Sequence, residues 1–340
     1  MISKYITENG KFRQIDEFMP GTWINLTAPT QDESLEIARR YNVDLADIRA
    51  ALDDEESSRV DVNDDYVLIL FDIPSVEIRH NQEAYTTIPL GVVWTDDAII
   101  TVCSAETPVL KHFIVNNIRD FTTKKQVRFT YQIMYRTSML YQSYLRIIDR
   151  RRLEMEERMG GATEDADIVN LHEMESNLVY FDTSLRANRM VVDRLTRYSG
   201  IRKFPEDQEL LDDVIVENLQ AIEMTQIYRD ILKGTRELMS TFIDNRLNNI
   251  MKLLAAITIA FKQPSEMTND IHGILSFPQH WSLSNFKEAM EVTDFWHSLG
   301  NSLFITLTTI ALSIVIHSLI GYVLGRSKKK NRIYNGIYLY

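Results

Sequence analysis

Apolar residues change period once along this 340-residue chain. Between residues 21 and 105 they form short β-rich runs, Thr22 to Leu26, Tyr66 to Ile73, Ile88 to Trp94 and Ala98 to Cys103. Between these runs the 3.6-residue helical period appears from Gln31 to Asn42 and around Asp44 to Leu52. The spacing predicts an α/β module, with Asp96-Asp97 as a hairpin turn between the last two runs. From Thr107 onward strand signal almost vanishes, and long amphipathic helices are expected over Val127 to Met159, Glu164 to Tyr198 and Glu206 to Phe261. Gly160-Gly161 and the stretch Gly200 to Pro205 punctuate them. A last helix of about 55 residues is about 80 Å long at 1.5 Å per residue, so it must be a coiled coil, a membrane span or both.

That helix enters an apolar segment too short to cross a bilayer. From Lys252 to Lys262 only nine apolar or hydroxyl residues run uninterrupted, about 14 Å against roughly 30 Å of hydrocarbon. Pro264 then predicts a break at residues 262 to 264, because the residue before a proline disfavours the α region. A complete span follows at Leu303 to Gly325, where 23 residues carry no Asp, Glu, Lys or Arg. The expected organisation is an α/β domain over 1–126, a long-helix stalk over 127–247 and a short first transmembrane segment over 248–261. An extramembrane segment over 262–302, a transmembrane helix over 303–325 and a basic tail over 326–340 complete it.

Charge separates the two ends. Residues 262 to 340 hold seven Lys or Arg and five Asp or Glu, leaving 30 and 43 in residues 1 to 261, a net of −13. An acidic front piece argues against nucleic acid as a partner and suits a domain that attracts cations. Arg326, Lys328, Lys329, Lys330 and Arg332 follow the full span and mark that end as cytoplasmic under the positive-inside rule. Met1 to Gly10 lacks the apolar core of a signal peptide, so the front piece is expected in the cytoplasm. The single cysteine, Cys103, lies in the apolar run AIITVC and reads as a buried structural thiol.

Candidate chemistry concentrates on the last long helix. Glu237, Thr241, Asp244 and Asn248 follow a 4, 3, 4 spacing that places them on one stripe, beside the apolar positions Leu238, Phe242 and Leu253. Such paired stripes suit identical helices ringed about a wet axis; the alternative is a plain solvated face. The stripe's course into the membrane-like segment favours the first, since polar groups there are costly unless they line water. The acidic run Asp53 to Glu56 reads as solvated helix charge, and Asp212-Asp213 has that reading as an alternative to a cation-binding one. No P-loop, Gly-x-Gly-x-x-Gly, His-Glu-x-x-His or Gly-x-Ser-x-Gly occurs, so no enzyme is indicated. His80, His112 and His172 are dispersed and read as surface residues, while His317 lies inside the full span, where it is either functional or a neutral imidazole at a helix interface.

Several longer runs carry a resemblance. WINLTAPT (Trp23 to Thr30), LDDEESSRVDVNDDYVLILFDIP (Leu52 to Pro74), TTIPLGVV (Thr86 to Val93), YFDTSLRANRMVVDRL (Tyr180 to Leu195), PEDQELLDDVIVENLQAIEM (Pro205 to Met224) and NNIMKLLAAITIAF (Asn248 to Phe261) occur in this order. Together they resemble the CorA family of magnesium and cobalt transporters over residues 1 to 261. The resemblance implies a homopentamer in the bacterial inner membrane, with cytoplasmic α/β domains, stalk helices forming a funnel and a first transmembrane helix lining the pore. It implies passage of Mg2+, and of Co2+, down a gradient, closed by Mg2+ bound between cytoplasmic domains. Asp213 and Glu237 fall at the family's regulatory carboxylates, and Asn248 at a pore-lining position with Thr241 and Asp244 near the same stripe. Hard-cation chemistry suits this, because Mg2+ takes oxygen ligands and is commonly held through water by one or two carboxylates.

The chain departs from that family after residue 261: no Gly-Met-Asn triplet, the family's outer-mouth motif, occurs anywhere. Residues 274 to 340, including FPQHWSLSNFKEAM and the stretch from Asp294 to Tyr340, instead resemble the early part of a sugar-type ABC transporter permease. The resemblance stops before the loop that docks on an ABC ATPase, so that partner is not expected. The chain thus reads as a chimera joined near residue 262 and incapable of transport, the alternatives being a permease fragment or a soluble Mg2+-sensing oligomer.

Overall fold

The computed structural model describes all residues except 9, 80–81, 116–117, 119–120, 159–164, 199–203, 264–279 and 327–340. It divides into two units, Met1–Ile243 and Asp244–Tyr340.

The first unit is built on a seven-stranded sheet with order β2-β1-β3-β7-β6-β5-β4. Its strands are β1 (Ile2–Glu8), β2 (Lys11–Ile15), β3 (Thr22–Thr27), β4 (Arg59–Val62), β5 (Tyr66–Arg79), β6 (Gln82–Thr95) and β7 (Ala98–Cys103). Only β3 and β7 pair in parallel, Trp23 opposite Ile99 and Leu26 opposite Val102. Between β3 and β4 lie α1 (Gln31–Tyr41) and α2 (Leu45–Ala50). Helix α1 starts where Thr30 and Glu33 close a reciprocal capping box, and ends at Asn42 in the left-handed conformation. The predicted Asp96-Asp97 turn joins antiparallel β6 and β7.

Side chains alternate between two cores. Ile24, Leu26, Val93, Ile100 and Val102 face α1 and α2, while Trp23, Val92, Trp94, Ile99 and Cys103 face the opposite layer with Phe113 and Phe129. A side chain at Gly91 would bring its Cβ within 3.1 Å of Ala51, so this glycine sets how closely α2 approaches β6. Cys103 is fully buried, and its thiol, pushed up to about 11 by burial, donates to the Pro89 carbonyl at 3.7 Å.

The opposite layer holds α3 (Pro108–Val115) and the starts or ends of three long helices, α4 (Gln126–Arg158), α5 (Asp165–Arg197) and α6 (Pro205–Phe261). The three long helices match the expected ones within two residues at each described end, and α6 is continuous through Gly234 and Asn248. Away from the sheet they share a second core that includes Leu145, Ile148, Leu178, Phe181, Ala221, Leu232 and Met239. Arg128 of α4 ties the start of α6, its Nε donating to Asp207 at 2.7 Å and its Nη2 to Glu206 at 2.8 Å. The side chains of Arg128 and Asp207 are 11% and 9% exposed, so this pair is largely withdrawn from water.

The second unit contains the end of α6, then α7 (Ser284–Val292) and α8 (Phe295–Arg326). The Phe261 ring packs on Trp281 at 5.4 Å and on Phe286 at 5.6 Å, and Ser282 donates its N–H to the Phe261 carbonyl. Asp294, at φ 45°, turns the chain between α7 and α8. Helix α6 ends at Phe261 as expected; Pro264 and the basic residues Lys328 to Arg332 lie outside the described residues.

Several expectations need correction. Strands β1, β2 and β4 and helix α3 were not legible: Ser3 and Thr7 occupy buried positions of β1, so hydrophobic alternation fails there. Strands β5 and β6 continue past the expected ends at Ile73 and Ile88, pairing from Pro74 opposite Thr87 to Arg79 opposite Gln82. The last helix begins at Phe295, eight residues before the expected start of the span at Leu303, and α7 lies within the segment expected to be extramembrane.

Candidate functional site

Helix α6 shows two different faces. Among its buried positions, Leu211, Val214, Asn218, Ala221, Thr225, Leu232, Thr235 and Met239 follow spacings of 3, 4, 3, 4, 7, 3 and 4, a heptad seam in the first unit, with Ile222 buried beside it. Polar members of the seam are satisfied: Asn218 donates across to the Leu185 carbonyl of α5 at 3.2 Å, and Thr225 within the helix to the Ala221 carbonyl at 2.7 Å. A second apolar row, Val216, Ile227, Ile231, Leu238 and Phe242, is 39% to 59% exposed. Sequence reasoning identified only Leu238 and Phe242 of this row; its spacings of 11, 4, 7 and 4 were the available signal.

The predicted polar stripe is exposed along its whole length, at Glu237, Thr241, Asp244 and Asn248. At 100° per residue these four fall within about 60° of one another around the helix axis. Thr241 turns its hydroxyl back to donate to the Glu237 carbonyl at 2.9 Å. Asp213 is also exposed, and its charge together with that of Glu217 adds to burial in raising the Tyr135 phenol above its ordinary value. Glu217 in turn accepts from Gln142 at 2.6 Å.

The structure does not bring Asp213 and Glu237 together within one chain. They are 24 residues apart on a continuous helix, about 36 Å at 1.5 Å per residue. Neither joins an ion pair among the described residues, and no group of three or more His, Cys, Asp or Glu there could hold a metal. Each is a lone, solvated carboxylate, the kind of ligand that Mg2+ accepts through its water shell and that needs a second source of oxygen to bind it well.

The run Tyr180 to Leu195 has a structural role on α5. Asn188 accepts the Asp72 N–H at 2.8 Å and donates to the Asp72 carbonyl at 2.7 Å, while Tyr141 donates to that same carbonyl at 3.2 Å. Ser184 donates to Thr87 at 3.0 Å. These contacts join α4 and α5 to the β5–β6 hairpin at mid-length. Burial raises the Asp72 carboxyl above its ordinary value, opposed by the Ser184 and Ser58 hydroxyls.

Of the seven histidines, His112 is half-buried beside Phe113 and its imidazole is lowered by burial and by the Arg136 charge. His317 sits within α8 and donates from Nδ1 to the Ser313 carbonyl at 2.7 Å. His80 and His272 lie outside the described residues. Among the described residues one helix is long and apolar enough to cross a membrane, at Phe295–Val323.

A profile described as CorA-like Mg2+ transporter protein matches residues 21–267, more than two thirds of the chain. The chain belongs to this family. A cobalt/magnesium transport protein CorA of Methanocaldococcus jannaschii is 24% identical over 314 residues, 90% of each chain. The complete CorA magnesium transporter structure from that organism superposes with a TM-score of 0.66 and 22% identity, covering 96% of this chain and 98% of that one. The cytoplasmic domain of ZntB from Vibrio parahaemolyticus shares the fold at a TM-score of 0.57 and 12% identity, over 72% of this chain and 98% of that one. The α/β domain followed by long helices is therefore the CorA-like fold. A match to 90% of the chain runs past residue 261. None of these comparisons supports a sugar-permease segment or a chimera.

Proposed function

We propose that the chain acts as a CorA-type channel-like transporter of Mg2+ and Co2+, a homopentamer in the bacterial inner membrane with residues 1 to 243 in the cytoplasm. The observation that carries this is the double character of α6: one seam is buried within the chain, while an exposed apolar row runs beside the exposed stripe Glu237, Thr241, Asp244 and Asn248. Burying that row against a second copy leaves the stripe facing the axis of a ring. Thr241, Asp244 and Asn248 then line the ion path, offering hydroxyl, carboxylate and amide oxygens to a hydrated cation. Asp213 and Glu237, each a half-site in one chain, bind Mg2+ together with oxygens of the neighbouring copy and hold the closed state.

The test is Mg2+-dependent self-association of the full chain in detergent, read by sedimentation. Millimolar Mg2+ should favour the oligomer and raise its melting temperature, since a ligand held only by the assembly stabilises it by mass action. Asp213→Asn with Glu237→Gln should remove both effects. An unchanged response in that variant moves the regulatory ion elsewhere; no response in the parent chain ends the reading of a Mg2+-gated assembly.

A second reading concerns residues 262 to 340. The missing Gly-Met-Asn triplet favours a chain joined near residue 262 that does not conduct. Growth of a Mg2+-transport-deficient bacterium decides the matter: rescue by the chain as it stands refutes the non-conducting reading. Rescue only when a full first span with Gly-Met-Asn and a second span follow Phe261 supports it. Sequencing the codons of residues 255 to 270 in the source genome tests the join directly.

A further inference from the structure

Helix α7 is amphipathic and exposed on its apolar side. Leu283, Phe286 and Met290 share one face and are 66%, 42% and 38% exposed, while Lys287, Glu288 and Glu291 lie on the other. Lys287 and Glu291 approach to 4.0 Å on that polar face. Trp281 before α7 and Trp296 after it are 65% and 70% exposed, and Phe261, Trp281 and Phe286 form one aromatic cluster. Water-soluble monomers rarely expose such a patch, and one of this kind marks a protein or membrane contact.

What covers them follows from α8. Its apolar stretch Phe295–Val323 is 29 residues, about 44 Å of helix against roughly 30 Å of hydrocarbon. Its first two turns carry His297, Ser298, Asn301 and Ser302 among the apolar residues, whereas Leu303 onward to Val323 is apolar or hydroxyl save for His317. The surplus length is therefore at the amino end, and Trp296 sits about 10 Å before Leu303 along the axis, at headgroup depth. Tryptophan is favoured there because its ring is apolar and its N–H polar.

We propose that α7, flanked by Trp281 and Trp296, is an interfacial helix whose partner is the headgroup layer of the bilayer that α8 spans. The proposal rests on α8 being that span. Between Trp281 and Trp296 the chain carries one cation, Lys287, and three anions, Glu288, Glu291 and Asp294, and adding Lys262, whose carbonyl accepts from Asn285 of α7, still leaves the balance negative. Attraction to anionic lipid is therefore excluded as the driving force, and insertion of apolar side chains among zwitterionic headgroups replaces it. The aromatic cluster fixes the end of α6 to the same layer through Phe261.

The full chain reconstituted in phosphatidylcholine vesicles tests this with nitroxide labels on single cysteines replacing Phe286, Glu288, Met290, Glu291 and, as a depth reference, Ile310. Cys103 is fully buried and stays unlabelled, which the parent chain verifies. The ratio of oxygen to nickel-complex accessibility should be several-fold higher at 286 and 290 than at 288 and 291, with 310 deepest, and adding anionic lipid should leave the pattern unchanged. Equal, water-like ratios at all four α7 positions with 310 deep overturn the proposal and leave the span intact. Ratios as deep as 310 at all four make α7 part of the span and also overturn it. Exclusion of both reagents at 286 and 290 assigns the face to a second copy of the chain. A water-like 310 removes the span and the proposal together. A label that displaces α7 is controlled by the unmodified chain: shallow-brominated lipid should quench its fluorescence more than deep-brominated lipid, and Trp281→Phe with Trp296→Phe should abolish the difference, because Trp23 and Trp94 are buried.

Discussion

The two units treat their apolar residues in opposite ways. In Met1–Ile243 the sheet and long helices bury them: Ile100, Trp23 and Phe129 are fully enclosed. In Asp244–Tyr340 the apolar residues of α8 are exposed, Leu303 at 59%, Ile310 at 51% and Ile316 at 45%. Composition alone does not separate them, since both are rich in Ile and Leu. The difference lies in what their polar groups do. The sheet alternates its side chains between two cores, so the central strands β3, β5, β6 and β7 find a protein layer on each face. Helix α8 satisfies its backbone internally and presents apolar side chains all round, which suits a lipid solvent and no aqueous one.

Placing one charge in each unit gives the largest contrast. Ile100→Asp buries an unpaired carboxylate and should cost on the order of 5 kcal/mol, unfolding the first unit as read by near-ultraviolet circular dichroism. Ile310→Asp should leave that signal and its melting temperature unchanged while weakening membrane insertion by about 3 kcal/mol, read by carbonate extraction. A comparable loss of melting temperature in both variants would break the comparison.

Next in size is the Arg128 clamp. Arg128→Ala strands the Asp207 carboxylate and should destabilise the first unit by about 3 kcal/mol in urea unfolding. Arg13→Ala, which removes an exposed ion pair with Glu8, should change it by less than about 1 kcal/mol. Equal effects would mean that burial does not distinguish these pairs.

Asp72 sharpens the same contrast through pH. Burial raises its carboxyl in the folded state, so the folded chain holds a proton that the unfolded chain has released. This group therefore costs nothing below the ordinary aspartate value of about 4 and an increasing amount as pH rises through its raised value. Asp72→Asn should flatten that part of the stability profile and make the first unit more stable near neutrality relative to the parent. A profile unchanged in the variant would place the titration elsewhere.

The smallest effect on the chain itself belongs to the exposed row of α6. Leu238→Ser with Phe242→Ser should shift unfolding of the monomeric state by no more than about 0.5 kcal/mol per site while abolishing Mg2+-dependent self-association. Lost stability without lost association would show that the row packs within the chain.

Much of the fold was legible because period reports burial. The three long helices, the runs that became β3, β5, β6 and β7, and the Asp96-Asp97 turn follow from spacing and turn chemistry that act over a few residues. So does the polar stripe Glu237, Thr241, Asp244 and Asn248, because a continuous helix maps spacing directly onto a face. Strands β1, β2 and β4 were hidden because short edge or near-edge strands carry few apolar residues; Arg59 to Val62 contains two. Long-range partners were hidden for a different reason. Nothing local in Asn188 announces the Asp72 backbone 116 residues away, nor in Arg128 the carboxylates at the start of α6. Local rules determine which segments are helix, strand or span; only the folded chain decides which side chains meet, because those contacts depend on loops being closed over a hundred residues.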